Sequence, residues 1–268
     1  MNAFRQLLKA AGAHPPVGSW VTSGSAIVAE AIAHAGFDWA VLDMEHSPAD
    51  LSEVVQMLHA VSGTKLVPVV RVPWNDAVMV KRVLDAGAPT LLFPFVQNGD
   101  EAARAVAATR YPPQGVRGIS TMSRANRFGT VPNYFAHANQ QVGVIVQIET
   151  MQAVQHLDEI ARTEGVDAVF LGPADLSASM GLLGQPTHPQ VMDVMAKAAQ
   201  RCKAIGKPVG TVGGTPEVVA QYRAAGFDFV AVSSDLGLLM QAARNALAAL
   251  RTPDSDHVHS ISSGTRGY

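Results

Sequence analysis

The chain has 268 residues, 48% of them hydrophobic and 16% charged, which suits one large α/β domain or two small ones. Its 20 Lys and Arg nearly balance 22 Asp and Glu, with no basic run or Lys/Arg-rich helix face, so nucleic acid and acidic membranes are not expected partners. The single cysteine, Cys202, excludes an intrachain disulfide and a cysteine-rich zinc site.

The first ten residues, MNAFRQLLKA, lack the long apolar core of a signal peptide. No stretch reaches membrane-spanning length without Gly, Pro or charge, so the expected location is the cytoplasm. A short apolar strand followed by an amphipathic helix then recurs along the chain. Strands are expected at 17–22, 39–44, 65–72, 90–96, 142–149, 167–172, 208–212 and 227–233. Helices are expected at 24–36, 50–62, 75–87, 99–109, 151–164, 189–206, 215–225 and 235–251. Gly36, Gly63, Gly87, Gly165, Gly206 and Gly226 stand at helix ends, where a left-handed residue stops a helix. Thr215-Pro216 reads as an N-cap followed by a first-turn proline.

Eight such units predict a closed (β/α)8 barrel as a single domain over 1–251. A doubly wound open sheet is the alternative, weakened because no Gly-x-Gly-x-x-Gly follows the first strand. Two segments break the rhythm. Residues 110–141 are too long for an ordinary connection, and such insertions usually serve function or assembly. The polar, aperiodic tail 252–268, with His257 and His259, is expected to be disordered.

In an eightfold barrel the active site lies at the C-terminal strand ends. The second strand ends with Asp43, Glu45 and His46, and the third with Arg71. The fifth ends with Gln147 and Glu149, two apart and so on one face, and the sixth leads into Gly172-Pro173-Ala174-Asp175. Glu149 and Asp175 follow neighbouring strands, so their carboxylates can converge on a hard cation such as Mg²⁺ or Mn²⁺. The bland alternative is two unrelated surface acids. Arg71 can grip a carboxylate or stabilise developing charge, or simply pair with Asp43 or Glu45. His46 is the expected base, because histidine titrates near neutrality. Asp43 is a candidate to orient it, although strand alternation puts the two on opposite faces. None of the six lysines falls at a C-terminal strand end, which excludes Schiff-base chemistry.

The motifs Gly36-Phe37-Asp38-Trp39, Asp43-Met44-Glu45-His46-Ser47-Pro48 and Val69-Val70-Arg71-Val72-Pro73 open a series. It continues through Leu84-Asp85-Ala86-Gly87-Ala88, Pro94-Phe95-Val96-Gln97-Asn98 and Tyr111-Pro112-Pro113-Gln114-Gly115-Val116-Arg117-Gly118. Val146-Gln147-Ile148-Glu149-Thr150 and Phe170-Leu171-Gly172-Pro173-Ala174-Asp175-Leu176-Ser177 close it. In this order and spacing the chain resembles the HpcH/HpaI family of metal-dependent (class II) pyruvate aldolases over roughly residues 5–250.

The resemblance implies a barrel assembled as a homohexamer, a dimer of trimers, with the last helix exchanged between subunits. It implies a divalent ion (Mg²⁺, Mn²⁺ or Co²⁺) on Glu149 and Asp175, and pyruvate contacting Arg71, Gln147 and the backbone near Ala174. His46 matches the family's base, Arg71 its transition-state stabiliser, and Asp85 an acid that reaches a neighbouring subunit's site. The likeness is least over Gly210–Thr215, where Val212 lies near the expected aldehyde end. The implied reaction is reversible retro-aldol cleavage of a 4-hydroxy-2-oxo acid to pyruvate and an aldehyde. A citrate-lyase-like or malyl-CoA-lyase-like enzyme is the alternative, but no basic run marks a CoA groove. A phosphate-binding barrel using Gly213-Gly214 and a catalytically silent barrel subunit are further alternatives.

Overall fold

A computed structural model describes residues 2–12 and 14–251. The expected tail, 252–268, lies outside the described residues. Eight parallel strands close into one barrel: β1 Val17–Val21, β2 Trp39–Asp43, β3 Val67–Arg71, β4 Thr90–Phe93, β5 Gly143–Ile148, β6 Ala168–Leu171, β7 Val209–Gly213 and β8 Phe229–Ser234. Each strand pairs with the next, and β8 pairs back to β1. The helices are α1 Ala3–Ala10, α2 Ala26–His34, α3 Leu51–Ala60, α4 Ala77–Asp85, α5 Gly99–Ala108 and α6 Tyr134–Gln141. They continue with α7 Met151–Gln155, α8 Leu157–Arg162, α9 Pro173–Ser179, α10 Pro189–Ile205, α11 Pro216–Ala224 and α12 Asp235–Arg251. Among the described residues no helix is long and apolar enough to cross a membrane.

The strands are nearly continuous apolar runs because both faces are covered. One face meets the helices; the other fills the barrel with Trp20, Trp39, Val69, Ile145, Phe170 and Phe229. Gly18 and Gly210 make room for these rings. A Cβ at Gly18 would stand 2.3 Å from the Trp39 ring, and one at Gly210 would stand 2.2 Å from Phe229.

The expected elements are all present, with shorter strands at 65–72 and 90–96 and the helix at 151–164 broken into α7 and α8 at His156. Three helices are additional. Of these, α1 plugs the barrel: Phe4 is fully buried, edge-on to Trp39 and Phe229. Asn2 caps α1 and donates to the carbonyls of Pro89 and Gln141. Replacing Phe4 with alanine would cost about 3–5 kcal/mol, as deletion of a buried ring does. In α12 only Asp235 is buried, while Leu236, Leu239, Met240, Leu247 and Leu250 are exposed.

Candidate active site

A cavity of about 430 Å³ opens at the C-terminal ends of the strands. Asp43, His46, Arg71, Gln147, Ala174, Asp175 and Val212, all singled out in the sequence, line it. They arrive from β2, β3, β5, β7 and the first turn of α9, so the closure of the barrel brings them together.

Arg71 is buried at 7% exposure and stands opposite Asp43 in the β2–β3 register. Its Nε and Nη2 donate to the two Asp43 oxygens, both at 2.7 Å, a fork-to-fork pair. Its Nη1 lies 2.7 Å from Glu45 Oε2, an ion pair outside hydrogen-bond alignment. The guanidinium also stacks 4.3 Å over the Trp20 ring. The strand ends at Asp43, so alternation does not govern the residues after it. Both Asp43 oxygens serve Arg71, and the carboxylate nearest His46 is Glu45, 3.9 Å from Nε2. His46 itself is mostly exposed at the cavity rim.

Glu149 is 2% exposed. Its Oε1 accepts from the Phe95 backbone N–H at 2.8 Å, and its Oε2 accepts a short bond from Gln147 Nε2. Phe95 adopts φ 55°, a conformation that costs roughly 1–3 kcal/mol for a residue with a side chain. Burial pushes the Glu149 carboxyl up to about 7, against the pull of these two bonds; the nearby charges of Asp175 and Glu45 push it further. Burial likewise raises Glu45, with Arg71 opposing and Asp43 and Asp175 adding to it.

Four carboxylates thus share this end of the barrel with one guanidinium: Asp43 and Glu45 pair with Arg71, while Asp175 lies near enough to raise Glu45 and Glu149, and Glu45 near enough to raise Glu149, an imbalance that a divalent cation would relieve. Two further features fit a cation on Glu149 and Asp175. Among the described residues, Gln147 Oε1 is buried without a partner beside Glu149. Gly172, three residues before Asp175, lets the Glu149 side chain lie close against the backbone, where a Cβ would stand 2.7 Å from Oε2. Among the described residues no group of three or more His, Cys, Asp or Glu is arranged for a metal. A two-carboxylate site therefore leaves the other positions to water and substrate oxygens.

Asp85 does not line this cavity. It ends α4, where its Oδ1 accepts from Arg117 Nη2 at 2.8 Å. Sequence reasoning missed Trp20, the Phe95 amide and the cradle at Gly172, and offered Asp43 or Glu45 as a partner of Arg71 where the structure shows both. The Asp43–Glu45 spacing was the available signal for two acids meeting one arginine.

The sequence profile of the HpcH/HpaI aldolase/citrate lyase family matches residues 17–242. The 2-dehydro-3,6-dideoxy-6-sulfogluconate aldolase of Pseudomonas putida is 47% identical over 236 residues, covering 88% of this chain and 92% of that enzyme. The 5-keto-4-deoxy-D-glucarate aldolase of Salmonella arizonae is 48% identical over 237 residues, with 88% and 92% covered. Among solved structures, a family protein from Burkholderia cenocepacia superposes with a TM-score of 0.90 at 44% identity, covering 94% of this chain and 100% of that one.

Proposed function

The chain belongs to the HpcH/HpaI aldolase/citrate lyase family, and from that premise we propose that it cleaves a 4-hydroxy-2-oxo acid reversibly to pyruvate and an aldehyde. It is a carbon–carbon lyase, and the names of its relatives point to sugar acids as the substrate class. The observation that carries the reading is the meeting of Asp175, Arg71 and His46 around one cavity, with Glu149 bonded to the lining Gln147.

Glu149 and Asp175 would hold a divalent cation, Mg²⁺, Mn²⁺ or Co²⁺. When bound, the cation supplies Lewis-acid polarisation of the 2-oxo group and stabilises enolate charge. Arg71, fixed by Asp43 and Trp20, keeps N–H groups beyond those pairs to orient the 2-oxo acid. Gln147 and the Ala174 backbone border the same ligand. His46 takes the proton of the 4-hydroxyl. The oxygen's electron pair becomes the aldehyde C=O, the C3–C4 pair passes to C3, and the proton returns to C3 to give pyruvate. Val212 borders the aldehyde end.

The exposed apolar face of α12 supports exchange of that helix within a homohexamer, a dimer of trimers. In that assembly Asp85 serves the cavity of a second copy, since it is absent from its own. The lone, buried Cys202 suits a reducing compartment, and we place the enzyme in the cytoplasm. The test is pyruvate release from 5-keto-4-deoxy-D-glucarate and from 2-dehydro-3,6-dideoxy-6-sulfogluconate, each with Mg²⁺, Mn²⁺ or Co²⁺. Pyruvate from at least one pair is expected. Turnover of an acyl-CoA ester with none from either sugar acid would overturn the reading.

A further inference from the structure

The insertion at 110–141 closes over the corner where α4 turns into β4. Ala125 N–H donates to the Asp85 carbonyl at 3.2 Å, and Arg124 Nη1 donates to the Ala86 carbonyl at 3.0 Å. These two bonds already latch the insertion. A third contact is of a different kind. Arg117 is buried to 2% exposure, its guanidinium lies 4.5 Å over the Tyr111 ring, and its Nη2 grips Asp85 Oδ1 at 2.8 Å. Its Nε has no partner among the described residues.

Burying a guanidinium is costly, and one hydrogen bond to one carboxylate oxygen repays little of that cost. As a latch the arrangement is therefore poor. As a mount it is effective. The tyrosine ring and the surrounding protein pack against the guanidinium and set its plane. The carboxylate it holds keeps a side chain 23% exposed, and among the described residues Asp85 makes no other side-chain hydrogen bond. Val116 and Ile119, on either side of Arg117 in sequence, are 66% and 65% exposed, so apolar side chains stand exposed beside the mount.

We propose that Arg117 is a positioning residue: stacked on Tyr111, it holds the Asp85 carboxylate for use at the active-site cavity of a second copy of this chain. The proposal rests on the reading of Asp85 given above.

A double-mutant cycle on the full-length assembled enzyme tests it, using Asp85→Asn, Arg117→Met and the pair, with assembly checked by sedimentation. Both single variants should lose roughly ten- to a hundredfold in kcat, as misplaced catalytic groups do, with KM for the 2-oxo acid within about twofold. The double variant should be no slower than Asp85→Asn alone. Co-expression of Arg117→Met with Glu149→Gln should recover activity, because the second chain lends an intact Arg117–Asp85 pair to the first chain's cavity. Arg117→Lys, which keeps charge without the planar fork, should fall between, and it carries the same test if Arg117→Met does not fold. Additive losses, or a fully active Arg117→Met beside an impaired Asp85→Asn, would overturn the positioning role and leave that of Asp85 standing. An unimpaired Asp85→Asn would remove the reading of Asp85 and the proposal with it.

Discussion

Glu149→Gln should stabilise the metal-free protein above neutral pH while abolishing its response to divalent cations. Burial pushes the Glu149 carboxyl from an ordinary 4.5 up to about 7. Between those values the unfolded chain has released the proton and the folded chain still holds it. Stability must therefore fall as pH rises across that window and level off above it. At 1.36 kcal/mol per pH unit, the loss attributable to Glu149 is on the order of 3 kcal/mol. Glutamine removes the titrating group. Its carbonyl can keep the Phe95 N–H, and Gln147 can turn its partnerless Oε1 to accept from the new amide. The assay is urea unfolding in chelator at pH 4.5, 6 and 8, read as the difference between variant and wild type. The difference should be near zero at pH 4.5 and reach about 2–3 kcal/mol in favour of Glu149→Gln at pH 8. A difference independent of pH, or a variant less stable at pH 8, would refute the argument that an uncompensated buried charge sits there. Added Mg²⁺ or Mn²⁺ should stabilise the wild type alone.

Three further outcomes are expected. Gly172→Ala, whose new Cβ would press on Glu149 Oε2, should weaken divalent-ion binding by about ten- to a hundredfold in titration calorimetry. Wild-type affinity would show that Glu149 does not use that face. Borohydride treatment with pyruvate should leave no pyruvyl-lysine by mass spectrometry, since among the described residues no lysine lines the cavity; an adduct would overturn the metal-dependent class. Truncation before Asp235 should yield smaller, poorly active species by light scattering, because α12 exposes apolar side chains that the proposed exchange would cover. A fully active monomer would contradict the exchanged helix.

The barrel was legible because its strands are short, apolar on both faces and punctuated by turn residues; Gly36 and Gly206 do take the left-handed conformation expected after helices, at φ 98° and 74°. Short helices were harder to read. Seven residues in α9 are too few for a periodic signal, whereas α1 carried one in Phe4, Leu7 and Leu8 that went unread. At the site, residue types and strand ends were enough to gather Asp43, His46, Arg71, Gln147 and Asp175 around one cavity. Which acid serves which base was not readable. It depends on where β2 stops and on the β2–β3 register that sets Asp43 opposite Arg71. The Phe95 amide could not be foreseen, because backbone donors leave no mark on the sequence. Nor could the mount of Asp85 by Arg117, residues far apart in the chain.

The most direct test of metal-dependent cleavage at Glu149 and Asp175 is pyruvate release from a 4-hydroxy-2-oxo sugar acid by protein stripped of metal, with removal verified by elemental analysis. No turnover is expected in chelator, with recovery on adding Mg²⁺, Mn²⁺ or Co²⁺ and no recovery for Glu149→Ala or Asp175→Ala at the same ion concentration. Full turnover by the stripped wild-type protein, or recovery of both variants to the wild-type rate, would contradict it.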